Sequence, residues 1–205
     1  MTKRDSIDED LVEEIMLRLK ETGNSSTVLI DTYTTMVAKT NFFLLKGLLD
    51  FEKSKGFFVA LDRPYQNMDY LLKNHGIDRE KIWYIDTVPR LPREKKGSEK
   101  NVDFVDKTFE IENLMEVFES GKDRDGFGTL DDVDFILIDN LSSMLSYNSL
   151  DKVEQLVGTF REMINIHDHL LGCIVMDTEA QKELYDVVKK HVNKVIDVRD
   201  LKEEF

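Results

Sequence analysis

The chain has 205 residues, enough for one domain with a single sizeable core. An apolar share of 41% is ordinary for a globular protein and sets disorder aside. A net charge of −13 speaks against general binding to DNA or RNA and against docking on an anionic membrane, since both need Lys and Arg in excess.

Targeting signals are equally sparse. The single Cys173 sits in an apolar run and reads as a core residue, which suits a reducing cytoplasm. No run approaches the ~20 apolar residues of a membrane span, and the first residues are too acidic and polar for a signal peptide.

In chain order, Ser6-x-x-Glu9 has the form of a capping box. Leu11, Ile15 and Leu19 then recur at helical spacing up to a stop at Gly23. This predicts an N-terminal helix within residues 1–25 that packs on a core domain of residues 26–205. Val28-Leu29-Ile30 reads as a buried strand, and Phe42 to Phe51 as a helix apolar on most sides. Phe57 to Leu61 is a second strand, Tyr65 to Asn74 a short helix stopped at Gly76, and Ile82 to Ile85 a third strand. Asp86 to Lys107, with Pro89, Pro92 and a basic cluster, reads as an exposed loop. Ile111, Leu114, Met115 and Phe118 mark a helix, and Gly121 to Asp132 a polar loop. Phe135 to Ile138 is the clearest strand, followed by a helix capped by Ser149. A strand over Leu171 to Met176, a helix over Glu179 to His191 and a strand over Val195 to Val198 complete the chain. Strands without polar alternation, separated by helices, predict a three-layer α/β/α fold around a central, mainly parallel sheet.

Two stretches carry chemistry. Thr27 to Thr40 has the strand, turn, Lys-Thr, helix plan of a phosphate-binding loop, with Lys39 and Thr40 in the last positions. Tyr33 and Ala38 stand where that loop needs glycines, whose backbone freedom lets N–H groups close on a phosphate. Asp31, just before, is expected to repel an anion. The second stretch is the carboxyl edge of the sheet, where this architecture binds ligands. Asp31, Asp62, Asp86, Asp139 and Asp177 all fall at strand ends, so an anionic ligand there would need Mg²⁺ or the side chains of Lys39 and Arg63.

Two further constellations are weaker. Asp123 to Asp134 resembles a calcium loop, but Phe127 replaces an oxygen ligand and Asp134 enters a strand rather than a helix, which predicts a plain acidic loop. His167-Asp168-His169 lacks a third ligand and reads as a helix-end turn.

The order of elements from about Ser26 to about Val198 resembles the core of the RecA-type P-loop ATPases, most nearly the KaiC-like proteins of archaea and bacteria. Ala38-Lys39-Thr40 sits where that family has Gly-Lys-Thr. Phe135-Ile136-Leu137-Ile138-Asp139-Asn140 resembles its Walker B strand. The resemblance implies that Asp139 would help hold Mg²⁺ through the hydroxyl of Thr40. Asp62-Arg63 falls where KaiC-like proteins place a water-activating acidic pair, so Asp62 keeps one carboxylate and Arg63 replaces the other. Asn74 to Asp78 and Trp83 to Asp86 are similar to the family as well. Asp62-Arg63-Pro64-Tyr65 and the segment from Asp139 to Ser149 resemble archaeal KaiC-like proteins that also lack the Walker A glycines.

Three functions follow as expectations. The first is a regulatory or assembly module with a vestigial nucleotide site of Lys39, Thr40 and Asp139, no ATP turnover, and a protein partner or a second copy as ligand. The second is an ATP-binding protein with slow Mg²⁺-dependent hydrolysis that uses Asp62. The third is a metal-dependent phosphohydrolase on the acidic edge, which the absence of Asp-x-Asp after the first strand disfavours. The geometry of the turn after the first strand separates the first two. An open loop with converging N–H groups favours binding, and a filled turn does not.

Overall fold

Apolar runs at the cores of six short segments draw them into one sheet, because a strand without polar residues must be covered on both faces, and a seventh strand joins its edge. The computed structural model describes residues 3–89, 100–105, 116–118, 124 and 126–201. The strands are β1 (Ser26–Asp31), β2 (Gly56–Ala60), β3 (Ile82–Asp86), β4 (Val102–Phe104), β5 (Phe135–Ile138), β6 (Leu171–Met176) and β7 (Lys194–Asp197). The helices are α1 (Lys3–Lys20), α2 (Val37–Lys46), α3 (Tyr65–Asn74), α4 (Leu150–Ile166) and α5 (Lys182–Val188). The sheet runs β4-β3-β2-β5-β6-β1-β7, and every described pairing is parallel.

Successive strand residues point to opposite faces, and the core divides accordingly. Leu29, Val59, Ile136, Ile138 and Ile174 pack under α4 and α5. Val28, Ile30, Phe58, Leu137 and Val175 pack under α1, α2 and α3. This is the expected three-layer α/β/α arrangement. Val28, Val59, Ile85, Ile138 and Val175 share the one sheet, as their apolar runs predict.

Four boundaries differ from expectation. A seventh strand, β4, lies inside the stretch read as irregular. Its three half-buried residues pair with the outer side of β3, and it has no apolar run to announce it. Helix α1 starts at Lys3, so Ser6 lies within it and not at its cap. Helix α2 begins earlier, at Val37, and passes into a π-turn over Gly47–Phe51. A Cβ on Gly47 would sit 2.5 Å from Met16 Sδ, so the π-turn lies close against α1 and a larger residue there would have to displace the Met16 side chain. Helix α5 is shorter than its sequence span because Asp177 Oδ1 accepts from the N–H groups of Glu179 and Ala180, fixing a turn there first. Most of the helix read at Ile111 to Phe118, and residues 121–123 and 125 of the loop read at Gly121 to Asp132, lie outside the described residues.

Candidate functional site

The carboxyl ends of β1, β5 and β6 form the edge where the phosphate-loop residues were expected. Five residues separate β1 from α2, and Thr34–Met36 winds into a 3₁₀ turn. No residue of this turn has positive φ. Its backbone donors are spent inside the protein. Thr32 N–H bonds to Met176 O at 3.0 Å, and Met36 N–H to Tyr33 O at 2.8 Å. Thr34 donates both its N–H, at 2.8 Å, and its hydroxyl, at 2.7 Å, to Asp177 Oδ2. A phosphate loop works by turning several such N–H groups toward one anion. Here three of them point elsewhere, and Tyr33 stands outward, 47% exposed.

Asp31 does not act as the repulsive charge expected of it. It is buried, and Arg199 Nη2 lies 2.7 Å from its Oδ2. Thr178 donates its N–H to Oδ1 at 3.0 Å and its hydroxyl to Oδ2 at 2.6 Å. Burial raises the Asp31 pKa above the usual carboxylate range, against the opposing pull of Thr178 and Arg199. Arg199 also reaches Asp197 and Glu179 and lies 5.8 Å from the Tyr33 ring centre. One guanidinium thus ties the ends of β1 and β7 to the turn after β6. Sequence reading missed Arg199. The rule that places charge at strand carboxyl ends, applied to β7, would have flagged it.

Breaking a fully buried pair by removing one partner costs roughly 3–5 kcal/mol. Asp31 would keep both Thr178 donors, so Arg199→Ala is expected to destabilise by about 2–3 kcal/mol and lower Tm by about 5–10 °C. Adding Asp31→Asn should restore part of the loss. A scanning-calorimetry comparison showing equal Tm for wild type and Arg199→Ala would contradict this role.

The remaining site residues divide between two pockets. Lys39 and Thr40 line the first, of about 220 Å³, together with Thr32, Met36, Phe43 and Arg199, under Leu11 and Ile15 of α1. The Thr40 hydroxyl is 2.9 Å from that of Thr32, and Lys39 Nζ lies 5.3 Å from the Phe43 ring centre. Asp139 and Asp62 line the second pocket, of about 50 Å³, with Asn41. Asn41 Nδ2 donates to the backbone carbonyl of Asp139 at 3.0 Å. Burial, with Asp62 adding like charge, pushes the Asp139 pKa up to about 8, and the Leu61 and Asp62 N–H groups only partly offset this. Arg63 Nε sits 3.8 Å from Asp62 at the rim.

Lys39 therefore shares a pocket with Thr40, and Asp62 with Asp139, but Thr40 and Asp139 face different spaces. The residues do not fit the nucleotide-bound Mg²⁺ of the resembled family, which needs those two turned to one ion and phosphates cradled by the turn.

The weaker constellations have structural partners. Phe127 is buried 5.7 Å from Phe57 and 5.5 Å from Trp83, ring centre to ring centre. Asp134 Oδ2 accepts from Lys55 N–H, and buried Arg124 pairs with Asp103 at 2.9 Å. His167 ends α4 and lies 3.0 Å from Asp131, in the turn expected before β6.

No family model and no curated protein sequence matches the chain. Solved structures do. KaiC-like protein PH0186 from Pyrococcus horikoshii OT3 superposes with a TM-score of 0.57 at 15% identity, over 85% of this chain and 73% of that one. The P. horikoshii protein PH0250 gives 0.56 at 13%, over 87% and 84%. The flagellar accessory protein FlaH from Methanocaldococcus jannaschii gives 0.56 at 14%, over 85% and 71%. The chain has the RecA-like fold of the archaeal KaiC-like P-loop ATPases.

Proposed function

We propose that the protein is a non-catalytic variant on this fold, a regulatory or assembly module that acts in the cytoplasm by binding a protein partner or a second copy of itself. One observation carries the reading: the turn after β1 spends the N–H groups of Thr32, Thr34 and Met36 on Met176, Asp177 and Tyr33. An anion would have to compete with those bonds. Residues 1–25 serve as a helix clamped on a core domain of residues 26–205, with α1 closing one wall of the Lys39 pocket. The outer faces of α1 and the segment from Asp86 to Lys107 are the first places to seek the partner.

A second reading, ATP binding with slow Mg²⁺-dependent hydrolysis, draws support from Lys39 and Thr40 lining one pocket with Thr32. Thermal shift separates the two. A ligand at a hundred times its Kd stabilises the native state by about 2.7 kcal/mol, or roughly 5–10 °C for a domain this size. The regulatory reading expects no rise in Tm with about 1 mM ATP·Mg²⁺, a concentration that would saturate a site of ~10 µM affinity. A rise of that size promotes the second reading.

A further inference from the structure

We propose that the pocket between α1, α2 and residues 198–201 binds a small monocarboxylic acid with an apolar body, a short acyl or aryl chain, and no nucleotide. Its apolar walls are Leu11 and Ile15 of α1 with Met36, Phe43, Val198 and Leu201. Leu11, Ile15 and Leu201 lie outside the stretch from Ser26 to Val198 that resembles the P-loop ATPases. The cavity measures about 220 Å³. An apolar cavity of about 150 Å³ holds benzene, roughly 25 Å³ per carbon, so this one has room for about nine such atoms. A mostly apolar space with a few polar groups at one side suits a ligand with an apolar body and one polar head.

The head is chosen by a spare proton. The hydroxyls of Thr32 and Thr40 are 2.9 Å apart, and the two residues are buried, 2% and 5% exposed. Each hydroxyl carries one proton, and the bond between them uses only one. The other has no acceptor among the described residues, although both side chains line the pocket. A buried donor left over in this way calls for an acceptor. Lys39 and Arg199 line the same space, and no carboxylate does so among the described residues. Arg199 is held by Asp31, Asp197 and Glu179, so the charge that selects an anion is that of Lys39. A carboxylate can accept from one hydroxyl and one ammonium together. A phosphate chain needs converging backbone donors, and those of Thr32, Thr34 and Met36 are spent within the protein. The inference does not depend on the regulatory reading.

The test is isothermal titration of the intact chain with heptanoate, whose size matches the cavity, beside 1-heptanol. One heptanoate per chain is expected, with a Kd below about 1 mM, and 1-heptanol should bind at least about tenfold more weakly. About 1 mM ATP·Mg²⁺ should not displace heptanoate. Lys39→Met should weaken heptanoate at least about tenfold. Leu11→Trp should abolish binding, because the larger ring fills the cavity from its partly buried wall. Lys39→Met decides the matter even if Leu11→Trp folds poorly. Absence of saturable heptanoate binding, equal affinity for 1-heptanol, binding indifferent to Lys39→Met, or displacement by ATP·Mg²⁺ would each overturn the proposal.

Discussion

Asp139→Asn is expected to stabilise the metal-free protein at neutral pH, by an amount that grows as pH rises. Burial holds the Asp139 proton in the folded state up to about pH 8. The unfolded chain releases that proton near pH 4, as an ordinary Asp does. Between those values the folded state binds more protons than the unfolded, so this group makes stability fall as pH rises from about 4 to about 8 and level off above. At pH 4 wild type and variant should match. At pH 7 the gap reaches at most roughly 4 kcal/mol, from about three units at ~1.36 kcal/mol each. An amide copies the shape of the protonated carboxyl. Its oxygen can accept from the Leu61 and Asp62 N–H groups, and its NH₂ can stand where the acid proton stood. Other carboxylates pull the other way. Asp177, although desolvation raises its pKa, is held below the usual range by donors on Ala180, Thr34 and Glu179. The quantity to measure is therefore the difference between wild type and variant in chelator-containing urea melts from pH 4 to 8.5. A gap independent of pH would show that Asp139 is ionised in the folded protein throughout.

The sheet was legible because its strands announce themselves. Val28-Leu29-Ile30 and Phe135 to Ile138 have no polar residue to break the run, and each lies buried on both faces. Strand β4 was illegible for the opposite reason: Val102-Asp103-Phe104 is short, half-buried and charged in the middle. Lys39, Thr40, Asp62 and Asp139 could be placed on the working edge, since each ends a strand or opens a helix. Their partners could not. Thr34 meets an acceptor 143 residues away in Asp177, and Thr178 lies 147 residues beyond Asp31. Asn41 reads in the sequence only as a polar break in an apolar helix. Its meaning depends on α2 packing beside the end of β5. The repulsion assigned to Asp31 failed likewise, because no local pattern links it to Arg199.

The proposed lack of phosphate binding rests on the backbone geometry of the turn after β1 more than on the absence of glycines. Anion affinity in a phosphate loop comes from N–H groups converging at a helix N-terminus, with the lysine adding a point charge. The N–H groups of Thr32, Thr34 and Met36 are bonded within the protein, and the 3₁₀ turn leaves five residues between β1 and α2. Rebuilding a cradle would break the two Thr34–Asp177 bonds, both charge-assisted by the ionised carboxylate. Lys39 alone does not offset that. Isothermal titration of the intact chain with ATP·Mg²⁺, run beside Lys39→Ala, measures this directly. The expected result is no binding heat up to about 1 mM, the same for both proteins, weaker than roughly −4 kcal/mol. A Kd below ~10 µM, about −6.8 kcal/mol, that disappears in Lys39→Ala would contradict it.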